Sequence, residues 1–348
     1  MSIDLSTQFG RLKLASPIVV GSCPLTGDEQ TRAALEAAGA GAIVLPSLFQ
    51  EQVILWNEQN GVALTENDKR VAKRSKQSHL DRACEDAATY LSVVNRASVL
   101  SSIPIIASLN GECGGNWLDF AGELQEAGAA AIELNVHASP PREFTDPRDL
   151  EDTMVHLVST VGKSITVPVF LKLSRELTSP SHLAHRLLSG ADGLVLFGRS
   201  PDVDIALETL KLKTHWYLTA AGSVAASLGS IMRIHSFCPA MPLAACGGIG
   251  SADDVIKALL AGADVTMVTS AIYRDGPGII RSLLDGLSEY MAKHHWTSIQ
   301  DIYRNRLCEF DTEDERLDYV KAISSRPQPI APHGLERSHT GDRWGHLQ

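Results

Sequence analysis

Four segments of the chain repeat one pattern, in which a helix-like stretch ends at glycine and leads directly into a short apolar run. The four segments read EAAGAGAIVL, QEAGAAAIEL, LSGADGLVLF and LAGADVTMV. Glycine readily ends a helix in the left-handed conformation, and a continuous apolar run of this length is typical of a buried parallel strand. The repeated unit therefore predicts an α/β protein with a parallel sheet.

The chain contains eight such strands, each followed by a segment with helical periodicity. The predicted strands are 17–20, 42–45, 105–109, 131–136, 169–173, 193–197, 243–246 and 265–269. Eight units predict a (β/α)8 TIM barrel, because the competing doubly wound open sheet usually has fewer strands. Segments 5–9 and 12–14 precede the first unit and predict an N-terminal hairpin that closes the bottom of the barrel.

Three stretches lack this pattern. We expect 50–75 to form an irregular loop over the barrel mouth, and 198–217 to form a second irregular stretch. From about Glu309 the chain is polar and contains prolines without a clear period. This change predicts a barrel domain over 1–308 and a polar C-terminal tail over 309–348, ordered only where Tyr319 or Trp344 docks.

Composition excludes several classes of function. The net charge of −10 argues against a nucleic-acid partner, and no apolar run reaches membrane-spanning length. The first residues do not resemble a signal peptide. The six cysteines are scattered without a CxxC motif, which gives no support to a disulfide framework, a metal site or an iron–sulfur cluster. We expect a cytoplasmic protein that acts on a small molecule.

The ends of the last two predicted strands are rich in small residues. Gly247 and Gly248 follow the seventh strand, and Thr269 and Ser270 end the eighth. Free backbone N–H groups at strand ends beside a helix N-terminus suit a phosphate, and in (β/α)8 barrels the phosphate site commonly lies in these two loops. Two consecutive ends of this kind predict a phosphate site rather than a simple tight turn.

Seven stretches carry a resemblance to a known family: SPIVVGSCPLT, LPSLFQEQV, ASLNG, AIELNVHASP, VFLKLS, ACGGIGSADDVIKALLAGAD and VTSAIYRDGP. The chain resembles the class 1 dihydroorotate dehydrogenases, and more closely the dihydroorotate dehydrogenase-like proteins beside them. The similarity runs in order over about residues 3 to 305. It implies a (β/α)8 barrel that holds FMN at the carboxyl ends of the strands.

The resemblance also implies roles for individual residues. Gly21 and Ser22 match the backbone that borders the flavin ring. Lys172 matches a lysine near the flavin N1 edge, where a cation stabilises the anionic reduced ring; the alternative is a lysine that only extends from a strand to solvent. Asn110 and Asn135 match polar flavin or substrate contacts, or are turn formers at strand ends. The other implied FMN-binding residues are Gly222, Gly247, Gly248, Thr269 and Ser270.

The chain departs from the family at the catalytic base. The family carries its base cysteine in the stretch Asn-Leu-Ser-Cys-Pro-Asn, whereas this chain has Ala138 at the base position and Pro140 at the following asparagine. The family's lysine after the second strand is Pro46, and its asparagine after the sixth strand is Gly198. A buried polar group of the substrate left without a partner costs about 1–3 kcal/mol, so these departures predict that dihydroorotate is a poor substrate.

His137 and Ser139 flank the position of the missing cysteine. A histidine has an intrinsic pKa suited to proton transfer near neutral pH. We predict that His137 or Ser139 takes over the proton transfer beside Lys172. The alternative is that both are residues of an exposed turn.

Three classes of function follow from these residues. The first is an FMN-dependent oxidoreductase that acts on a CH–CH group of a small, non-orotate substrate. The second is a flavin-binding scaffold without catalysis, and the third is a flavin-free, phosphate-binding barrel with lyase or synthase chemistry. We expect a homodimer, and any iron–sulfur cluster would belong to a separate electron-transfer partner.

Overall fold

Strands and helices alternate around a closed barrel of eight parallel strands. The computed structural model describes residues 3–78, 86–112, 116–136, 146–175, 177, 179–307 and 312–324. The chain divides into two compact units, Met1–Cys308 and Glu309–Gln348, and the barrel lies in the first. The predicted (β/α)8 TIM barrel is confirmed.

The strands of the barrel follow one another in chain order. The strands of the chain are β1 (Thr7–Phe9), β2 (Leu12–Leu14), β3 (Ile18–Val20), β4 (Ala42–Phe49), β5 (Ile105–Gly111), β6 (Ala131–Val136), β7 (Val169–Leu173), β8 (Gly193–Leu196), β9 (Asp202–Ala206), β10 (Lys211–His215), β11 (Leu243–Cys246) and β12 (Val265–Val268). All except β1, β2, β9 and β10 belong to the barrel. The predicted limits agree with β6, β7 and β11, whereas β4 continues past Pro46 with a shift of register, because proline has no N–H for the ladder.

The helices of the first unit surround the barrel and bury apolar faces on its outer surface. They are α1 (Glu29–Ala37), α2 (Gln50–Gln59), α3 (Glu66–Ser78), α4 (Ala87–Leu100), α5 (Phe120–Glu126), α6 (Pro147–Ser164), α7 (Pro180–Leu187), α8 (Ala225–Phe237), α9 (Ala252–Leu260), α10 (Ser270–Asp275), α11 (Ile279–Lys293) and α12 (Ile299–Arg304). The second unit contains α13 (Thr312–Ser324). Short 3-10 turns cover Pro24–Gly27 and Asn116–Asp119. No helix among the described residues is both long and apolar enough to cross a membrane.

The predicted N-terminal hairpin is present and packs against the interior of the barrel. Strands β1 and β2 pair in antiparallel register, with Phe9 opposite Leu12. The ring of Phe9 is fully buried and stacks on Phe170 of β7, with 4.1 Å between the ring centroids. A side chain at Gly193 would collide with the Phe9 ring, so glycine at this position makes room for the hairpin.

Polar side chains form the next layer of the barrel interior. Side chains alternate between the two faces of a strand, so a residue two positions after an interior residue also faces inward. The interior apolar residues Ile106, Ala131 and Phe170 are followed in this way by Ser108, Glu133 and Lys172. All three polar side chains are buried, on the side of the barrel that carries the carboxyl ends of the strands.

The predicted irregular loop over 50–75 is wrong, because this stretch contains α2 and most of α3. Ile54 of α2 is fully buried and packs with Val71 and Ala72 of α3. The many charged residues of α3 hide this small apolar face in the sequence. Helical hydrogen bonding and the contact between the two helices outweigh the low apolar content of the segment.

The prediction for 198–217 also needs correction. Strands β9 and β10 form an antiparallel hairpin inside the stretch that was expected to be irregular. Its apolar residues, such as Leu210 and Leu212, are exposed, so no core-facing pattern marks the strands in the sequence. In the second unit, α13 occupies part of the expected tail and carries a half-exposed Tyr319, whereas Trp344 lies outside the described residues.

Candidate flavin and substrate site

A cavity of about 600 Å³ lies at the carboxyl ends of the barrel strands. The residues that line it follow β3, β7, β8, β11 and β12, and further lining residues flank the hairpin β9–β10. Among the described residues that line it, Lys172, Arg175 and Arg199 are cationic, whereas Asp202 is acidic. The cavity is therefore locally positive in a chain with a net charge of −10, which favours an anionic ligand.

The structure brings six of the twelve predicted site residues to this cavity. Those that line it are Ser22, Lys172, Gly247, Gly248, Thr269 and Ser270. Gly21 lies directly behind Thr269, because a Cβ atom at Gly21 would be 2.4 Å from Thr269 Oγ1. Asn110, Asn135 and Gly222 are not among its lining residues.

The turn after β11 has a backbone shape that requires glycine. Gly247 and Gly248 have φ angles of +92° and +80°, in the left-handed region that side chains disfavour. A Cβ atom at Gly248 would lie 2.5 Å from the backbone nitrogen of Val224, so the turn and the start of α8 pack backbone to backbone. Within the described residues, the backbone N–H groups of Gly248 and Ser270 donate no hydrogen bond. These donors at the cavity wall fit a phosphate.

Gly222 stabilises this turn from behind. Its N–H donates to the Gly248 carbonyl at 3.0 Å and to Asp254 Oδ2 at 3.3 Å. The same carboxylate oxygen accepts the N–H groups of Gly250 and Ser251, both at 3.0 Å. The N–H groups of Gly250 and Ser251, which immediately precede α9, are therefore bound by Asp254, and the Asp254 N–H donates to Ser251 Oγ in a capping box. The N–H groups of Gly248, in the turn, and of Ser270, after β12, therefore stay available to a ligand.

Lys172 lies inside the barrel and does not extend to bulk solvent. Its side chain is 9% exposed, and Nζ lies 3.3 Å from Oε1 of the fully buried Glu133. Burial, the largest single effect, lowers the pKa of the Lys172 ammonium. The charge and hydrogen bond of Glu133, together with the nearby thiols of Cys246 and Cys23, outweigh burial, so the pKa lies above the ordinary lysine value. Glu133 was not among the predicted site residues, although a carboxylate within the apolar run AIELNV is a visible signal.

A chain of hydroxyl groups connects this ion pair to the opposite wall of the barrel. Ser108 Oγ donates to Glu133 Oε1 at 3.4 Å, and it lies 2.9 Å from Ser47 Oγ. Ser47 Oγ lies 3.2 Å from Ser22 Oγ, and Ser22 lines the cavity. The chain therefore begins and ends at the cavity, at Ser22 and at Lys172.

The two predicted asparagines lie side by side in the sheet. Asn110 of β5 pairs in register with Asn135 of β6, and Asn135 pairs with Lys172. Both asparagines are partly buried, and a Cβ atom at Gly198 would lie 3.9 Å from Asn135 Oδ1. Asn135 therefore adjoins the lysine at the rim of the barrel interior.

The residues around the missing base cannot be placed in this site. His137 and Ser139, the predicted proton-transfer residues, lie outside the described residues, as do Ala138 and Pro140. Their assignment stays a prediction.

Two arginines at the cavity were missed by the sequence analysis. Arg175 donates to Ser227 Oγ at 2.8 Å, and its guanidinium lies 5.6 Å from the centre of the Phe197 ring. Arg199 lies 5.5 Å from the ring centre of Trp216, at the base of the hairpin β9–β10. Their place shortly after β7 and β8, at the ligand-binding end of a barrel, was the available signal.

Comparison with known proteins agrees with this geometry. The sequence model of the dihydroorotate dehydrogenase family matches residues 59–291, which is more than half of the chain. The chain belongs to the dihydroorotate dehydrogenase family. The predicted resemblance is thereby confirmed.

Three relatives within this family show how widely the similarity extends. An Aeropyrum pernix protein, provisionally named dihydroorotate dehydrogenase A (fumarate), is 25% identical over 86% of this chain and 96% of its own length. The catalytic subunit of dihydroorotate dehydrogenase B (NAD(+)) from Thermoplasma acidophilum is 24% identical over 86% of this chain and 97% of its own length. The chloroplastic dihydropyrimidine dehydrogenase (NADP(+)) of Arabidopsis thaliana is 24% identical over 97% of this chain and 85% of its own length. These matches support a flavin-dependent oxidoreductase family.

Proposed function

We propose that this protein is an FMN-dependent oxidoreductase that acts on a CH–CH group of a small substrate other than dihydroorotate. The observation that carries the proposal is the buried, ion-paired Lys172 in a cavity that also contains the glycine turn after β11. Burial of a lysine ammonium costs free energy unless a partner or a ligand of opposite charge offsets that cost. An anionic ring beside the cavity floor would interact favourably with the ammonium.

The residues of the cavity fit FMN in two places. The turn at Gly247 and Gly248, with Ser270 beside it, presents N–H donors and has room for a phosphate. Gly21 and Ser22, at the end of β3, would border the ring, with Lys172 near its N1 edge. When bound, FMN supplies the ring that exchanges a hydride with the substrate.

The chain's own groups then have distinct tasks. Lys172 holds a positive charge at the floor of the cavity, and the hydrogen-bonded serines keep its counter-ion in place. Arg175 and Arg199 attract and orient an anionic part of a ligand. His137 or Ser139 moves the proton that accompanies hydride transfer.

The proposal also covers the substrate, the partners, the oligomeric state and the location of the protein. We infer a small-molecule substrate, a separate electron-transfer partner, a homodimer and a cytoplasmic location, with no nucleic-acid or membrane partner. The negative net charge supports the exclusion of nucleic acid.

A flavin-binding protein without catalysis is the second candidate. Ala138 at the base position favours it, because alanine cannot accept a proton. Reduction of the bound flavin by saturated ring substrates, and reoxidation of the chemically reduced flavin by unsaturated ones, distinguish the two candidates. A flavin that exchanges electrons with none of them supports the scaffold.

The first prediction concerns the identity of the cofactor. We expect the purified protein to release FMN and not FAD on denaturation, because one phosphate turn is present and no GxGxxG unit follows a strand. Chromatography of the released chromophore, after reconstitution with an equal mixture of FMN and FAD, measures the preference. Release of FAD, or of no flavin, contradicts the assignment.

The second prediction concerns the substrate. We expect dihydroorotate oxidation to be about 10²- to 10⁴-fold slower than in an enzyme with the base cysteine, because Ala138 cannot take the proton. Ala138→Cys restores a thiol at this position and should raise the rate, whereas Ala138→Ser adds a far weaker acid of similar size. Initial rates of flavin reduction by dihydroorotate measure the effect. Fast turnover by the unmodified protein would mean that another group is the base.

A further inference from the structure

The Glu133–Lys172 pair is an expensive arrangement for folding alone. Glu133 is fully buried, and its second carboxylate oxygen, Oε2, has no hydrogen-bond partner among the described residues. Apolar residues of similar volume often replace a buried ion pair without loss of stability. Since an apolar layer lies directly beneath this pair in the same barrel, the charges point to a role beyond packing.

Glu133 is the charge that acts on Lys172 most directly. The other titratable groups that face the pair are Cys246, Cys23 and Tyr90, together with Arg175 beyond Cys246. Burial raises the pKa of both thiols and of the Tyr90 hydroxyl, so all three are neutral near pH 7. Among the described residues, Glu133 is therefore the anion that balances the ammonium.

The barrel holds Glu133 in position from the side opposite Lys172. Ser108 donates to the same oxygen, Oε1, that contacts Lys172 Nζ. Ser108 is itself buried, and its backbone N–H donates to Tyr90 Oη at 3.3 Å. The carboxylate therefore has one fixed contact on β5 and one on β7, and its position defines where the ammonium lies.

We propose that Glu133 is a positioning residue, which keeps the ammonium of Lys172 charged and directed into the cavity. This inference about Glu133 rests on the proposed function in one respect: the role of Lys172 in the cavity is to hold positive charge beside the flavin ring. Without the carboxylate, burial would favour the neutral amine, which carries no charge to offer a ligand. Glu133 is not among the residues that line the cavity, so its effect reaches the cavity through Lys172.

The direct test measures the protonation of Lys172 in the flavin-free protein. NMR of carbon-labelled lysine, with the Lys172 signal assigned by its loss in Lys172→Met, follows the ammonium as the pH rises. We expect Glu133→Gln to lower the pKa of Lys172 by about one unit or more, a tenfold or greater loss of proton affinity. Glu151→Gln is the control, because Glu151 is also mostly buried and pairs with Arg186 at 3.2 Å, on α6 outside the barrel.

A second measurement uses the flavin-loaded protein. In Glu133→Gln the midpoint potential of the bound flavin should show an additional break with pH, at the point where Lys172 loses its proton. Below that pH the potential should be higher than in the wild type, since the positive charge is no longer balanced. Glu133→Asp keeps the charge and should restore wild-type behaviour, whereas a purely structural role would make both substitutions equally harmful.

The outcomes separate this inference from the proposed function. A Lys172 pKa that is unchanged in Glu133→Gln, in a folded protein that binds flavin, overturns the inference and leaves the proposed function standing. A lowered Lys172 pKa in Glu133→Gln, found together with a wild-type protein that binds no flavin, supports the role of Glu133 and contradicts the proposed function. If Glu133→Gln does not fold, the comparison is made with Glu133→Asp and Ser108→Ala. The inference then requires a lower Lys172 pKa in Ser108→Ala than in the wild type, and an unchanged pKa overturns it.

Discussion

Gly248→Val is expected to abolish FMN binding in a protein that still folds. A Cβ atom at this position would lie 2.5 Å from the backbone nitrogen of Val224 and 2.7 Å from the carbonyl carbon of Ser223. Neither backbone atom can move without shifting the start of α8. The φ angle of +80° is also disfavoured for a β-branched residue, at a cost of about 1–3 kcal/mol. The turn must therefore change shape and lose its phosphate donors.

The matched control for this variant is Gly276→Val. Gly276 has a similar φ of +75°, but a Cβ atom there would meet nothing within 4 Å, and the residue does not line the cavity. Quenching of FMN fluorescence during titration measures binding, and urea denaturation measures the stability of each variant. We expect the control to lose some stability and to keep its FMN. Stoichiometric FMN in Gly248→Val would refute the assignment of the phosphate to this turn.

Lys172→Met is expected to lower the free energy of unfolding by about 3–5 kcal/mol, because it leaves the buried carboxylate of Glu133 without its counter-ion. The double variant Lys172→Met with Glu133→Gln removes both charges and should regain most of this loss. Urea denaturation of the wild type, both single variants and the double variant yields the coupling energy between the two residues. A loss in the double variant equal to the sum of the two single losses would mean that the residues do not interact.

The same comparison has a defined pH dependence. The pKa of Lys172 is raised in the folded protein above its ordinary value of 10.5, so the folded state binds this proton more tightly than the unfolded chain does. The stabilisation is therefore fully present below about pH 10.5 and is lost as the pH rises through the folded-state pKa. We expect the stability difference between the wild type and Lys172→Met to be constant from neutral pH to about pH 10 and to shrink above it. A difference that shrinks towards acid pH would contradict this account.

Of the residues that these predictions concern, some were predicted from the sequence as site residues and one was not. Lys172 was identified through the family resemblance of VFLKLS, and Gly248 was identified because a double glycine after a strand is a local pattern. Glu133 lies 39 positions from Lys172 and was missed, although it shares a strand with Asn135. No local pattern indicates that two strands lie in a register that brings the carboxylate to the ammonium.

The sequence by itself determined the barrel, the limits of several strands, the N-terminal hairpin and the family. These depend on short-range regularities: glycine after a helix, an apolar run of strand length, and motifs within one strand–helix unit. Where those signals are weak, as in α3 and in the exposed hairpin β9–β10, the elements were missed. Helical contacts and cross-strand hydrogen bonds form them without a continuous apolar face.

Only the tertiary structure decided which side chains meet at the cavity. Closure of the barrel sets the register between neighbouring strands, and the register places Asn135 beside Lys172 and Ser108 beside Glu133. The close packing of Gly248 on the start of α8 likewise joins segments that are separate in the chain. Such contacts depend on the three-dimensional position of whole strands and helices, whereas the sequence around each residue encodes only its local conformation and its tendency to be buried.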